Sequence, residues 1–207
     1  MTATTFPATA RQRLLELLAR RSFRLGTFKL ASGGTSSYYV DCRLTTLAAE
    51  GGRLTGQVFL ETLRQLPQPP EAVGGLTLGA DPIVTAIAVL SAQAPPPING
   101  FLVRKAEKTH GTGRLIEGET RPGQRVAIVE DVCTTAGSAL QAVEAADGAG
   151  LEIAAVVCLV EREEAGGREN LHRYWRERWG RDCPFASIFQ AGEIRRWLET
   201  HPAAQTS

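Results

Sequence analysis

Apolar runs and helical apolar spacing alternate through the middle of the chain. The runs have the length and continuity of buried strands, which are expected at residues 72–78, 100–103, 125–129 and 153–160. Segments with apolar residues at helical spacing follow the first and third runs, at residues 82–91 and 138–146. Strand–helix alternation is typical of a mainly parallel sheet with helices on both faces. The pattern therefore predicts an α/β fold.

Both ends of the chain depart from this alternation. The N-terminal part predicts a helix over residues 10–21, two short strands over 24–30 and 37–43, and a second helix over 52–65. The turn residues Ser32, Gly33 and Gly34 separate the two strands. We expect a single domain over residues 1–207, with a small N-terminal layer in about 1–45, a core in about 50–165 and a C-terminal addition in about 168–200.

Composition narrows the class of protein. The 207 residues include 23 Lys and Arg against 22 Asp and Glu, and a net charge of +1 provides no general attraction to nucleic acid or to an anionic membrane. No apolar run approaches the ~20 residues of a membrane span, and the N-terminus lacks the apolar segment of a secretory signal. The four cysteines have no metal-binding spacing and are expected to be reduced thiols. We therefore expect a cytoplasmic protein without nucleic-acid or membrane partners.

The segment from Arg125 to Leu140, RVAIVEDVCTTAGSAL, carries the most specific chemistry. An apolar strand ends in two acids, Glu130 and Asp131, and a loop of small and hydroxylic residues leads into a helix. Backbone N–H groups of such a loop, with hydroxyls beside them, bind a phosphate. The acids would repel that phosphate, but they accept hydrogen bonds from sugar hydroxyls. The segment predicts a site for a ribose 5-phosphate, and the alternative is an ordinary capped turn with two solvated acids.

This segment resembles the phosphoribosyl diphosphate-binding motif of the type I phosphoribosyltransferases. The resemblance implies that fold, with the N-terminal layer as a hood, and it implies that Glu130 and Asp131 bind the ribose hydroxyls. The rest of the motif would hold the 5′-phosphate: Val132, Cys133, Thr134, Thr135, Ala136, Gly137 and Ser138. The stretch LTLGADP, residues 76–82, resembles the family's diphosphate loop, in which Gly79 and Ala80 would let the backbone approach the diphosphate. This chain lacks the Tyr-Lys pair that some relatives have there.

A cationic stretch, FLVRKAEKTHGTGRLIEG at residues 101–118, precedes the ribose motif. Its cations are Arg104, Lys105, Lys108 and His110. Taken alone, such a stretch is as readily a solvated surface loop as a functional one. Before a ribose-phosphate motif, it could stabilise the charge on a departing diphosphate and exclude water.

The cationic stretch resembles the catalytic loop RKxxKxHG of the orotate phosphoribosyltransferases, although Thr109 stands where the family often has an acid. The resemblance implies a homodimer in which the loop, residues 104–114, enters the partner's site. Its four cations would bind phosphoribosyl diphosphate. The catalytic residues would be Lys108, His110 and Asp131.

Two further segments are similar to the parts of this family that bind the base. LASGGTSSYYVDCR, residues 30–43, resembles the hood segment and places Tyr39 and Val40 next to orotate, although simple strand packing is the alternative for the tyrosines. Some members have a lysine where this chain has Ala31, and whether Lys29 substitutes for it is open.

In the second segment, LVEREEAGG at residues 159–167, Arg162 is similar to the arginine that pairs with the orotate carboxylate. The alternative is a surface arginine paired with Glu163 or Glu164. Thr134 of the ribose motif would also contact orotate.

The implied reaction converts orotate and phosphoribosyl diphosphate to orotidine 5′-monophosphate and diphosphate, in pyrimidine synthesis. Mg²⁺ is the implied cofactor, held mainly by diphosphate, ribose and water, with Asp131 as the candidate protein contact. Two alternatives stay open: another base-specific type I phosphoribosyltransferase, and a non-catalytic regulator that senses nucleotides on the same fold. The first should lack the RKxxKxH loop, and the second should have lost an acid or gained a basic segment.

Overall fold

A computed structural model describes residues 9–29, 34–106 and 115–202. Lys108 and His110 lie outside these residues, as do Ser32 and Gly33 of the expected turn. The helices are α1 (Ala10–Leu17), α2 (Arg43–Thr46), α3 (Ala49–Arg64), α4 (Asp81–Ser91), α5 (Gly137–Gly148), α6 (Gly167–Trp179) and α7 (Ala191–Thr200). The strands are β1 (Phe23–Lys29), β2 (Thr35–Val40), β3 (Ala72–Leu76), β4 (Asn99–Val103), β5 (Ile116–Glu117), β6 (Arg125–Cys133), β7 (Glu152–Glu161) and β8 (Phe185–Gln190).

Six of these strands form one sheet in the order β5–β4–β3–β6–β7–β8, and every neighbouring pair is parallel except β4 and β5. The central strands are apolar on both faces because helices cover both. In β6, Ala127 and Val129 pack with α1, α3, α4 and α7, whereas Val126 and Ile128 pack with α5 and α6. The α/β fold with a mainly parallel sheet is confirmed.

Two elements depart from the expectation. Strand β6 continues through the acid pair to Cys133, because its pairing with β7 extends as far as Cys133 opposite Glu161. The tail after residue 168, expected as an addition, supplies β8, which pairs with β7 and forms one edge of the central sheet. The two acids in β6 and Ser187 within β8 interrupt the apolar runs from which strands are predicted.

The hood is a separate two-stranded antiparallel sheet formed by β1 and β2. Because successive side chains of a strand point to opposite faces, Tyr38 is buried, whereas Tyr39 is 47% exposed. The Tyr38 ring stacks on Phe23 with the ring centroids 4.8 Å apart. The hood therefore presents Tyr39 towards open space and holds Tyr38 as a packed support.

None of the helices in the described part of the chain is long and apolar enough to cross a membrane.

Candidate active site

A cavity of about 420 Å³ opens at the carboxyl ends of β3 and β6, where open α/β sheets bind their ligands. The hood, the loop after β3, the end of β6 and the start of α5 surround it. Its lining includes the predicted site residues Tyr39, Val40, Gly79, Lys105, Glu130, Asp131, Val132, Thr134, Ser138 and Arg162. Five stretches that lie far apart in the sequence therefore meet at one place.

The acid pair lies at the floor of this cavity. Glu130 is 6% exposed, while Asp131 is half-buried and accepts a hydrogen bond from the N–H of Val132 at 2.9 Å. Burial, together with the charge of the neighbouring Asp131, raises the pKa of Glu130. A neutral carboxyl can donate as well as accept a hydrogen bond, so the pair is suited to the neutral hydroxyls of a sugar.

The loop after β3 packs directly against Asp131. A Cβ on Gly79 would lie 2.4 Å from Oδ1 and 2.8 Å from Cγ of Asp131, so only glycine fits this approach without movement. Ala80 is fully buried and does not line the cavity, and its N–H donates to the carbonyl of Leu76 at 3.3 Å. Gly79 supplies the backbone surface beside the acid, and Ala80 supports the turn.

The loop between β6 and α5 has the geometry of an anion site. Ala136, with φ of 65°, adopts the left-handed conformation immediately before α5. Left-handed residues of this kind occur in backbone turns that bind anions, and in this described segment no side chain caps the helix. Thr134 and Ser138 add hydroxyls to the cavity wall. The arrangement favours a phosphate site over an ordinary capped turn.

Two motif residues lie behind this wall. Cys133 is buried in the core, where a Cβ on Gly167 would come within 2.7 Å of its Sγ. Thr135 lines a neighbouring cavity instead. Their backbone shapes the loop, and their side chains do not line the main cavity.

The base of the cationic loop is anchored beside the cavity. The N–H of Arg104 donates to the carbonyl of Leu115 at 2.8 Å, at the end of the β4–β5 ladder. The carbonyl of Lys105 accepts from Gln141 of α5 at 3.0 Å, and Lys105 lines the cavity. Arg104, in contrast, pairs with Glu117 at 3.3 Å and does not line the cavity. Lys105 therefore lines the cavity of its own subunit and Arg104 does not, whereas the resemblance implied that both act in the partner's cavity.

Three further cavity residues were not indicated by the motifs: Phe28 of the hood, and Asp41 and Arg43, which follow it. The Arg43 guanidinium donates two hydrogen bonds to Asp41, at 2.9 Å and 3.0 Å, and this pairing lowers the pKa of Asp41. Asp41 and Arg43 follow the end of β2, so no strand periodicity indicates them. Lys29 also lines the cavity.

Arg162 follows β7 and is held by the hood. Its side chain is only 11% exposed, and its guanidinium lies 4.7 Å from the centroid of the Tyr38 ring. Its N–H groups donate to the Tyr38 hydroxyl at 3.2 Å, to Ser36 Oγ at 2.9 Å and to Glu164 at 3.2 Å. The pairing with Glu164 is present, but the interpretation as a surface arginine is wrong because the side chain is enclosed.

The chain is similar over most of its length to orotate phosphoribosyltransferases. It is 44% identical over 187 residues to the enzyme of Aquifex aeolicus, a match that covers 89% of this chain and 97% of that protein. It is 42% identical over 190 residues to the enzyme of Synechocystis sp., a match that covers 91% of this chain and 90% of that protein. The chain belongs to the orotate phosphoribosyltransferase family.

Solved structures of orotate phosphoribosyltransferases share the fold. A crystal structure of the Mycobacterium tuberculosis enzyme superposes with a TM-score of 0.74 at 39% identity, covering 90% of this chain and 99% of that chain. A structure of the same enzyme in complex with 5-phospho-α-D-ribosyl 1-diphosphate gives a TM-score of 0.72 at 35% identity, with the same coverage. No family model matches the chain. The type I phosphoribosyltransferase fold expected from the ribose motif is confirmed.

Proposed function

We propose that the cavity transfers the ribose 5-phosphate group from phosphoribosyl diphosphate to orotate, forming orotidine 5′-monophosphate and diphosphate in pyrimidine synthesis. The observation that carries this proposal is the convergence of the acid pair, the phosphate loop and Arg162 on one cavity. Each group matches one part of the two substrates: ribose hydroxyls, 5′-phosphate and the carboxylate of the base.

In the proposed mechanism, a nitrogen of orotate attacks C1 of the ribose while the bond to diphosphate breaks. Glu130 and Asp131 hold the ribose, and Thr134 and Ser138 hold its 5′-phosphate with the N–H groups at the start of α5. The positions of both reacting groups are thereby fixed, which is the main contribution a protein makes to such a displacement. Arg162, Thr134, Tyr39 and Val40 orient the base, and no covalent intermediate with the protein is required.

In the proposed mechanism, positively charged side chains stabilise the departing diphosphate. Lys105 lies at the cavity, and Lys29 and Arg43 add positive charge to its lining. Lys108 and His110, outside the described residues, complete the proposal as the groups that stabilise or protonate the leaving diphosphate.

The donor set fits Mg²⁺ in a substrate-held position. No group of three or more His, Cys, Asp or Glu side chains that could hold a metal occurs among residues 9–29, 34–106 and 115–202. Asp131 is a carboxylate at the cavity surface, and Mg²⁺ commonly takes one or two carboxylates with substrate oxygens and waters. When bound, Mg²⁺ would neutralise charge on the diphosphate, and Asp131 is the protein group that would touch it.

A homodimer is part of the proposal, with residues 104–114 entering the partner's cavity. An apolar groove of about 620 Å³ lies between α2 and α4, and its lining includes Leu47, 72% exposed, and Val89, 59% exposed. Leu78, 67% exposed, lines the catalytic cavity, so apolar surface borders that cavity as well. Exposed apolar surface of this kind marks interaction sites, and a second copy is the proposed occupant.

Two further expectations belong to the proposal. The chain is proposed to be a single domain with the hood as its N-terminal part, supported by apolar residues of α1 that pack in the same core as α3 and β6. A cytoplasmic location is supported by the four cysteines, Cys42, Cys133, Cys158 and Cys183, which are all free and buried thiols.

Turnover of four bases tests the proposed function. The protein is incubated with Mg²⁺, phosphoribosyl diphosphate and either orotate, uracil, adenine or hypoxanthine, and nucleotide formation is followed by chromatography. Orotate alone should be converted at an appreciable rate, because Arg162 pairs with a carboxylate that the other bases lack. Turnover of adenine without turnover of orotate would contradict the assignment and leave the family fold intact.

A further inference from the structure

We propose that Glu164 is a positioning residue for the base: it holds the Arg162 guanidinium from the side opposite the catalytic cavity. This inference rests on the proposed function, because it concerns the arginine that would bind the orotate carboxylate.

The first observation is the place of Arg162 between two cavities. Arg162 lines both the catalytic cavity and a neighbouring cavity of about 710 Å³. Glu164, Tyr38 and Ser36 line only the neighbouring one. They therefore approach the guanidinium from the rear, where they support it without blocking the catalytic cavity.

The second observation is which nitrogen atoms of the Arg162 guanidinium are already hydrogen-bonded. Arg162 Nε donates to the Tyr38 hydroxyl, and Nη2 donates to Ser36 Oγ and to Glu164 Oε1. The same Glu164 oxygen accepts the Tyr38 O–H at 2.5 Å. Within the described residues, Nη1 makes no hydrogen bond, so its two N–H groups remain for a carboxylate in the catalytic cavity.

The third observation separates this arrangement from an ordinary surface ion pair. Exposed pairs contribute little because both side chains are mobile in water. Here the Glu164 side chain is 54% exposed, but both of its partners are held in place: Tyr38 is 7% exposed and stacked on Phe23, and the Arg162 side chain is 11% exposed. Burial raises the pKa of Tyr38 to about 12, so its hydroxyl keeps the proton that it donates to Glu164. Glu164 thus joins two groups of fixed position and links the hood to the end of β7.

Steady-state kinetics of Glu164→Ala, Glu164→Gln and a control test the inference. Loss of the carboxylate should raise KM for orotate about tenfold, the scale of a hydrogen bond to a charged group, with kcat and KM for phosphoribosyl diphosphate within about twofold. Glu164→Gln keeps an oxygen acceptor and should recover most of the orotate affinity. Glu163→Gln, in the same turn, should match the wild type because Glu163 forms neither a hydrogen bond nor an ion pair with the Arg162 side chain within the described residues.

A double variant shows whether Glu164 acts through the arginine: Glu164→Ala is combined with Arg162→Met. There, Glu164→Ala should change KM for orotate by less than about twofold, because coupled residues lose their interaction together. An unchanged KM for orotate in the single Glu164→Ala variant would overturn the inference, and so would equal rises in both KM values. Failure of the proposed function is separate, since it would appear as absent orotate turnover in the wild-type enzyme.

Discussion

A methyl group added at Gly79 should damage catalysis more than it damages folding. The Cβ of Gly79→Ala would lie 2.4 Å from Oδ1, 2.8 Å from Cγ and 3.2 Å from Oδ2 of Asp131. Ordinary van der Waals contact begins at 3.4 Å. The substitution therefore forces the Asp131 carboxylate or the loop after β3 to move by about 1 Å at the place where the ribose is proposed to bind.

The size of the effect follows from this displacement. A misplacement of about 1 Å at a reacting group costs about 100-fold in rate, so kcat/KM for phosphoribosyl diphosphate should fall to about 1% of the wild-type value. Overpacking by one methyl destabilises a protein by about 1–3 kcal/mol. For a chain of this size, that corresponds to a fall in Tm of roughly 2–12 °C. The variant should remain folded at 25 °C.

Initial rates at varied phosphoribosyl diphosphate and saturating orotate, with Tm from circular dichroism, measure both quantities. Gly148→Ala is the matched control, because Gly148 ends α5 and a Cβ there meets nothing within 4 Å. The control should keep wild-type kinetics, with a Tm equal to that of the wild type or slightly higher because alanine favours a helix more than glycine does. If Gly79→Ala also kept kcat/KM within about twofold of wild type, the close approach to Asp131 would have no catalytic role and the reasoning would be refuted.

Three other predictions concern the acid pair, the loop and the arginine. Because Glu130 has a raised pKa in the folded protein, its contribution to stability is present below the ordinary value of 4.5 and is lost as pH rises to the raised value. Thermal melts at pH 6 and pH 8 measure this loss. Between these pH values, the free energy of unfolding should fall more for the wild type than for Glu130→Gln, by up to about 1.4 kcal/mol per pH unit. An equal fall in the two proteins would contradict the raised pKa of Glu130. Lys108→Ala and Asp131→Asn should each be nearly inactive, whereas refolding them together should restore about a quarter of the wild-type rate if the loop acts in trans. No restoration would place Lys108 in its own subunit's site. Arg162→Met should raise KM for orotate at least tenfold and leave KM for phosphoribosyl diphosphate unchanged, because a buried ionic hydrogen bond to the base is lost, and a rise in both would indicate a general structural role.

The central sheet and its flanking helices could be predicted because burial on both faces leaves a continuous apolar signal. The run at residues 153–160 became the centre of β7, and the helix expected at 82–91 became α4 with one residue added. The short elements could not be predicted: β5 has two residues and α2 has four, too few to establish a period. Strand ends were also missed, since the acids of β6 are polar and their pairing with β7 is visible only in three dimensions.

The motifs in the sequence predicted most residues of the candidate site. The other contacts depend on tertiary packing. Glu130, Asp131, Thr134 and Ser138 converge as the ribose motif implied. Arg104 meets Glu117 across the short β4–β5 ladder, a contact that the motif does not indicate. A contact of that kind depends on a two-residue strand that no periodicity reveals.

The contacts that hold Arg162 from the side opposite the catalytic cavity could not be predicted from the sequence for a related reason. Tyr38 and Glu164 are 126 positions apart, and only the closure of the hood over the end of β7 brings them together. The spacing of Arg162 and Glu164 in the sequence indicates only a surface ion pair. Nothing in the sequence indicates that the same carboxylate binds a buried tyrosine.

Direct detection of the product tests the central claim, that this cavity makes orotidine 5′-monophosphate. Wild-type protein and Asp131→Asn are incubated in parallel with orotate, phosphoribosyl diphosphate and Mg²⁺, and the nucleotide is measured by mass spectrometry with diphosphate measured by a coupled assay. The wild type should release orotidine 5′-monophosphate and diphosphate in equal amounts, and Asp131→Asn should do so at about 1% of that rate or less. Absence of the nucleotide with the wild type, or equal rates for the two proteins, would contradict the account.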